Sequence, residues 1–398
     1  MNDDNSPAAN AEGYLTAAIL IWVVTLGFIC AGLISGFSHR SVTPDYHAAV
    51  QRWIAGQLLY GGYHYFPQFV FLFFPFHALP APWGDVLWRL LSTGLLVWGL
   101  WRLISLVDSP RTKQLFFYAT LIVLIPSFDA LRNGQANVIF AAFTIHAAVS
   151  LAQSKWGAAT AWLLLALIAK PLGLVMILLA VLVYRILIWR LAIGIALFLV
   201  FPFVLGRGGY VLAQYHESMR HLLDLSIITE NRFADLNGLL RKLGIGLTGR
   251  ASQAVRAAAG LVTALAWWLG ARRLRQPEQA CFLLALATTY LMLFNPMTEE
   301  NSYVIVLPVL AYYSLRLLLV EGRRLVAWGL ILGGISMGLL PELLRRMIPD
   351  FGLWWRPIIM LVFSGVLMGL IASREVEVAG VGALPSEQNS SVGSRGGG

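Results

Sequence analysis

The stretch from Gly134 to Gly206, GQANVIFAAFTIHAAVSLAQSKWGAATAWLLLALIAKPLGLVMILLAVLVYRILIWRLAIGIALFLVFPFVLG, decides the fold class. Its formal charges are Lys155, Lys170, Arg185 and Arg190, and the apolar runs between the polar breaks span 134–151, 156–169, 171–189 and 191–206. Runs of that kind belong in hydrocarbon, where every backbone N–H and C=O must be satisfied within the protein. Their helix length, rather than strand length, selects α-helices over a barrel. Moving outward, the same window finds apolar segments at 14–36, 86–107, 114–131, 254–271, 279–295, 302–320, 325–340 and 356–373. The expectation is an all-α polytopic membrane protein with about twelve transmembrane helices. Composition agrees: 58% of residues are hydrophobic and 12% charged, against about 25% charged in soluble domains.

The stretch 65–79 is also apolar, but Pro67, Pro75 and the adjoining Pro80 break it, which predicts a re-entrant or interfacial helix. In the loop 207–253, Val211, Tyr215, Met219 and Leu222 share one helical face and predict an amphipathic interfacial helix. The two cysteines, Cys30 and Cys281, lie in apolar stretches and offer neither a disulfide framework nor a metal-ligand spacing. The acidic opening before a long apolar run reads as a cytoplasmic tail, 1–13, leading into a first membrane helix rather than as a cleaved signal. One transmembrane domain then covers 14–373, and the Gly- and Ser-rich 374–398 is expected to be a disordered cytoplasmic tail.

The net charge of +9 is spread in short clusters between apolar segments rather than on one basic face, which argues against nucleic-acid binding. With the N-terminus in the cytoplasm, Arg111, Lys113, Lys155, Arg190, Arg272, Arg273, Arg275, Arg323, Arg324 and Arg374 all fall on the cytoplasmic side. The opposite face receives the long loops 37–85 and 207–253 and the junctions at Arg132-Asn133, Lys170-Pro171, Asn295 to Asn301 and Pro341 to Trp355. Arg132, Lys170, Arg207, Arg241, Arg345 and Arg346 are placed on that face against the positive-inside bias. Side chains snorkelling at helix ends account for any one of them; several at successive junctions point to an anionic ligand.

The densest polar signal follows the first span: Pro44-Asp45-Tyr46-His47, then Tyr60-Gly61-Gly62-Tyr63-His64-Tyr65-Phe66-Pro67. A carboxylate at a partly desolvated membrane mouth can act as a general base, because desolvation raises its pKa toward the working range. The spacing fits equally an N-cap for a juxtamembrane helix over 46–59, and the residues alone leave both roles for Asp45 open.

The Asp in the first external loop followed by the Tyr-x-Tyr-Phe-Pro stretch resembles the GT-C class of membrane glycosyltransferases, and within it glycosyltransferase family 87, which includes polyprenyl-phosphate-mannose-dependent mannosyltransferases. Arg132-Asn133-Gly134-Gln135-Ala136-Asn137 resembles the family's Gly-Gln-x-Asn motif, and Lys170-Pro171 its Lys-Pro junction. Asn237-Gly238-Leu239-Leu240-Arg241 is similar to its polar external-loop stretch, and Asn295-Pro296 to its late turn. The likeness covers roughly 14–373. It departs at Asn295 to Asn301, where the family often carries Trp and His and this chain has no His; Glu299 or Glu300 stands in their place.

The resemblance implies a GT-C-like architecture with juxtamembrane helices in the first external loop. It implies inverting transfer of a hexose, such as mannose, from a polyprenyl-phosphate donor to a glycan or glycolipid acceptor on the external face of a bacterial inner membrane. Asp45 is then the base. Arg132, Lys170, Arg207 and Arg241 are the candidate phosphate ligands, and Gln135, Asn137, Asn237, Asn295 and His64 candidate sugar or acceptor contacts, with Glu299 and Glu300. Tyr46, Tyr63 and Tyr65 are candidates for stacking on a sugar, although an aromatic belt would use them equally. No cofactor is expected beyond the lipid-phosphate sugar as substrate, and no Asp-x-Asp pair or His cluster points to a metal. Two rivals share the many spans and external charge: a lipid-linked oligosaccharide flippase or solute transporter, and an O-antigen-type polymerase. The lack of a visible internal repeat and of charges deep at mid-span argues against the carrier, and the early Asp45 favours the transferase.

Overall fold

The computed structural model describes residues 7–36, 40–226 and 233–381. Most of the expected disordered tail, 382–398, lies outside the described residues, as do 1–6 of the N-terminal tail, 37–39 of the first external loop and 227–232 of the second. The chain runs through α1 (Pro7–Ile34), α2 (Thr43–Ile54), α3 (Gln68–His77), α4 (Trp83–Ile104), α5 (Thr112–Arg132), α6 (Ala136–Ala152), α7 (Trp156–Ala169) and α8 (Gly173–Val183). It continues through α9 (Leu187–Leu205), α10 (Gly208–Ser226), α11 (Leu236–Lys242), α12 (Gly249–Arg273), α13 (Glu278–Phe294), α14 (Leu307–Leu319), α15 (Arg324–Leu344) and α16 (Phe351–Val381). A 3₁₀ turn at Glu300–Ile305 leads into α14. No strand occurs among the described residues, so the all-α expectation holds.

Among the described residues, six stretches are long and apolar enough to cross a membrane: Asn10–Ile34, Ser109–Arg132, Leu187–Leu205, Gly249–Arg273, Arg324–Leu344 and Phe351–Ser373. They carry lipid-ready surface, with Val204 and Leu261 each 74% exposed. The other apolar segments also fall in helices, but α7 and α8 have 14 and 11 residues. At 1.5 Å per residue these rise about 21 and 17 Å, short of the roughly 30 Å hydrocarbon thickness. Twelve apolar segments are therefore not twelve full-length crossing helices. The expected break near residue 190 lies instead at Tyr184, whose backbone leaves the helix at φ −88°, ψ 73°. Its hydroxyl accepts from Gln276 Nε2 at 2.9 Å and its ring contacts those of Trp156 and Trp267. The polar signal of that break is Arg185; Arg190, five residues on, is equally basic, and sequence alone does not choose between them.

The first loop holds two short helices, α2 and α3. The amphipathic α10 also forms, but its buried face is Val211, Gln214 and Ser218, while Met219 is exposed. Gln214 determines that rotation: its Oε1 accepts from Leu59 N at 3.2 Å and its Nε2 donates to Gln57 O at 3.0 Å. A polar side chain fastened to loop backbone outweighs one methionine.

Helix α6 is the axis of the bundle. It is apolar on every side and rich in alanine, so it is buried all round against α4, α7 and α13. The turn that feeds it, Arg132-Asn133-Gly134, is held by three carbonyls. Arg132 O accepts from Arg89 Nε and Nη2, both at 3.0 Å; Gly134 O accepts from Trp88 Nε1 at 2.8 Å; Asn133 O accepts from Val42 N at 3.0 Å. The start of α2 and the second turn of α4 are thereby fixed to the N-terminus of α6. Gly134 is required here, since its φ is +65° and a Cβ would lie 2.9 Å from the Arg89 guanidinium. Replacing Gly134 with Ala should destabilise the detergent-solubilised protein by about 1–2 kcal/mol from the backbone conformation alone, read as a lower thermal midpoint. Gly94→Ala, at a helical position with open space around it, should leave the midpoint unchanged or raise it.

Candidate active site

The fastened ends of α2, α6, α7 and α13 surround a cavity of about 500 Å³. Its polar lining comprises Asp45, Tyr46, Tyr63, His64, Tyr65, Gln135, Asn137, Lys170, Asn295, Glu299 and Ser302, with Leu172, Leu222, Leu225 and Met297 on the apolar side. Residues more than 250 positions apart in the chain thus meet at one end of the bundle, the end assigned above to the external face.

Asp45 is the third residue of α2, whose N-cap is Val42, and no side chain caps that helix. The cap role open to Asp45 in the sequence is therefore not the one it takes. Its side chain is exposed and makes no hydrogen bond or ion pair with the described residues. Beside it, Tyr46 is buried and its hydroxyl accepts from Ala136 N at 3.0 Å, in the first turn of α6. The Tyr46 and Tyr65 hydroxyls are 3.0 Å apart. His47 ties α2 to its neighbours, with Nδ1 2.9 Å from His77 Nδ1 and Nε2 3.1 Å from Asp85 Oδ1. His64 stands at the rim, its Nδ1 2.8 Å from Nε2 of His221 on α10.

Lys170 follows the last residue of α7, and the Nζ is 5.8 Å from the centroid of the Tyr65 ring. Among the described residues it is the one Lys or Arg lining the cavity. Burial pulls its pKa down to about 8, against the opposing pull of the Glu299 carboxylate. Glu299 accepts from Gln135 Nε2 at 3.4 Å. A carboxylate only accepts, so the Gln135 amide must turn its NH₂ to Glu299 and its Oε1 to Asn137. Asn137 Nδ2 donates to that oxygen at 2.7 Å and to Ser302 Oγ at 3.4 Å. Asn295 caps α13, and its Nδ2 donates to Thr298 Oγ1 at 3.3 Å.

The other sequence candidates lie elsewhere. Arg132 pairs with Asp129 at 2.6 Å, three residues back on α5. Arg207 is exposed just before α10. Arg241 is on α11, near buried Asp235, whose pKa burial raises to about 6 against the opposing charges of Arg256 and Arg241. Asn237 closes the loop after α11, bonding Leu247 N at 2.8 Å and Leu247 O at 2.9 Å. Glu300 turns to Arg356 at 2.6 Å, so of the two acids in the late turn Glu299 faces the cavity. Two participants had no place in the sequence reading: Ser302, and Arg89, which is 1% exposed in the second turn of α4. A guanidinium inside the apolar run 86–107 is itself a signal of buried pairing, and it was legible; nothing in the sequence marks Ser302.

The model of glycosyltransferase family 87 matches residues 63–296 of this chain. The chain belongs to glycosyltransferase family 87. The family 87 match takes in Tyr65, Gln135, Asn137, Lys170 and Asn295, and leaves Asp45 before it and Glu299 after it. No curated protein and no solved structure matches the chain.

The Lys170 environment predicts a pH-dependent reactivity. A buried amine with a lowered pKa exposes its neutral, nucleophilic form earlier as pH rises. Amine-reactive labelling of Lys170, followed by peptide mass spectrometry, should be half-maximal near pH 8 rather than 10.5. Glu299→Gln removes the charge that supports the ammonium form and should move that midpoint lower.

Proposed function

We propose that this membrane glycosyltransferase moves a hexose, such as mannose, from a polyprenyl phosphate to a hydroxyl of a glycan or glycolipid, with inversion and with Asp45 as general base. Membership in family 87 makes the chain a membrane glycosyltransferase. The observation that carries the finer reading is that an unpaired carboxylate, Asp45, and a half-buried cation, Lys170, line one cavity at one end of several apolar helices.

Each lining group has a use in that reaction. The acceptor hydroxyl attacks the anomeric carbon and gives its proton to Asp45. The bond from that carbon to the phosphate oxygen breaks, and the electron pair leaves with the polyprenyl phosphate. Negative charge grows on the departing phosphate, and the ammonium of Lys170 in a poorly solvated site is suited to stabilise it. The ordered amides of Gln135 and Asn137, with Asn295 and Glu299, provide hydrogen-bonding groups for sugar hydroxyls. The apolar wall of Leu172, Leu222, Leu225 and Met297 suits the start of a prenyl chain. The reading places the cavity on the extracytoplasmic face of a bacterial inner membrane with both termini in the cytoplasm, supported by the basic loops at the other end. Arg132, Arg207 and Arg241, the other three expected phosphate ligands, do not line the cavity, and the reading gives the donor phosphate in it to Lys170.

Incubating membranes with a panel of polyprenyl-phosphate sugars and measuring released polyprenyl phosphate tests this directly. Asp45→Asn should lower transfer by about 10²- to 10⁴-fold, the usual worth of a general base, at unchanged protein abundance. Transfer at the wild-type rate would remove Asp45 from the base role.

A further inference from the structure

The direction of the hydrogen bond between Tyr46 and Tyr65 is decided by what lies behind it. A phenol has one proton to give and lone pairs to receive with. The oxygen of Tyr46 already receives the N–H of Ala136. If Tyr65 also donated to it, the Tyr46 proton would have no acceptor among the described residues, in a side chain that is 2% exposed. A buried donor left without a partner is costly. In the opposite arrangement Tyr46 donates to Tyr65, and both the lone pair and the proton of its hydroxyl are used. The proton of Tyr65 is then the one left over, on a half-buried residue that lines the cavity.

We infer that the Tyr65 hydroxyl, oriented by the chain Ala136 N–H to Tyr46 to Tyr65, donates a hydrogen bond to the phosphate of the lipid donor beside Lys170. The inference rests on the transfer reaction proposed above. Both groups on this side of the cavity are donors, since the Lys170 ammonium near the Tyr65 ring cannot accept either. The carboxylate acceptors are Asp45 and Glu299, and Glu299 takes its hydrogen bond from Gln135 rather than from Tyr65. Lys170 and Tyr65 together therefore offer donors to an anion. When the bond from the anomeric carbon to the phosphate oxygen breaks, the electron pair stays on that oxygen and the hydrogen bond from Tyr65 strengthens. The phenolic proton is not transferred. Tyr46 is a positioning residue: it acts through Tyr65, with the first turn of α6 behind it.

Farnesyl phosphate and farnesol, bound to the full-length protein in nanodiscs, separate the phosphate contribution from that of the chain. Tyr65→Phe should weaken farnesyl phosphate about 10- to 100-fold, the range for a hydrogen bond to a charged group, and leave farnesol unchanged. In the transfer assay it should lower kcat and spare the acceptor KM. Tyr46→Phe keeps the Tyr65 hydroxyl and should give a loss of a few-fold confined to the same phosphate-dependent quantities. Equal farnesyl phosphate affinity in wild type and Tyr65→Phe, or a parallel loss of farnesol binding, would overturn the inference. If Tyr65→Phe fails to fold, 3-fluorotyrosine at position 65 provides the second test: the more acidic phenol should bind farnesyl phosphate more tightly, and unchanged or weaker binding overturns the assignment. Wild-type transfer with an indifferent Tyr65→Phe would refute this hydroxyl alone. A wild-type protein that neither transfers nor prefers farnesyl phosphate to farnesol would refute the proposed reaction with it.

Discussion

Three carbonyl oxygens in the turn before α6 hold this structure's functional end together. Arg89 and Trp88 of α4 bond those of Arg132 and Gly134, and the first backbone N–H before α2 bonds that of Asn133. Inside a membrane protein such carbonyls cannot be left to water, so each bond is strongly favoured. Their combined effect is geometric. Asp45 on α2, Gln135 and Asn137 at the head of α6, and the tyrosines of the first loop are placed around one space because α2, α4 and α6 share one turn. A positive-φ glycine at 134 and a buried guanidinium at 89 are the two sequence features that this arrangement needs.

Much of this was legible before the structure. The apolar runs fixed the helical class, the prolines marked α3 as a short element, and the positive-inside pattern put the polar junctions at one end. The structure gathers Asp45, Tyr46, His64, Tyr65, Gln135, Asn137, Lys170, Asn295 and Glu299 in one cavity. The cations were less legible. Arg132, Lys170, Arg207 and Arg241 look alike in sequence, each a basic residue at a polar junction. Arg132 is paired within its own helix by Asp129, three residues back, a spacing visible in the sequence, whereas only tertiary structure shows that Lys170 faces the cavity. The same holds for Glu299 and Glu300, adjacent in sequence and turned apart by a 3₁₀ turn that gives one to Gln135 and the other to Arg356.

Helix boundaries between 171 and 206 were out of reach for a different reason. Periodicity carries information only where one face differs from another, and the two cations of that stretch, Arg185 and Arg190, offer two equally good places for a break. The break at Tyr184 follows from ring packing and one hydrogen bond to Gln276. Arg89 is the instructive case between these extremes: its charge within a helix was visible, yet its partners are the backbone carbonyls of Asp85 and Arg132 and the Ser41 hydroxyl, which no sequence pattern reveals.

The polarity of the cavity unites these points. Donors collect at Lys170 and Tyr65, acceptors at Asp45 and Glu299, and the amides between them are oriented by the carboxylate of Glu299. A structure of the protein with a bound polyprenyl phosphate tests this account most directly, through the position of the phosphorus atom. The account predicts the phosphate within hydrogen-bonding distance of Lys170 Nζ, with the chain leaving along Leu172, Leu222 and Leu225. A phosphate seated at Arg207 or Arg241, with the cavity at Asp45 unfilled by donor or acceptor, would contradict it.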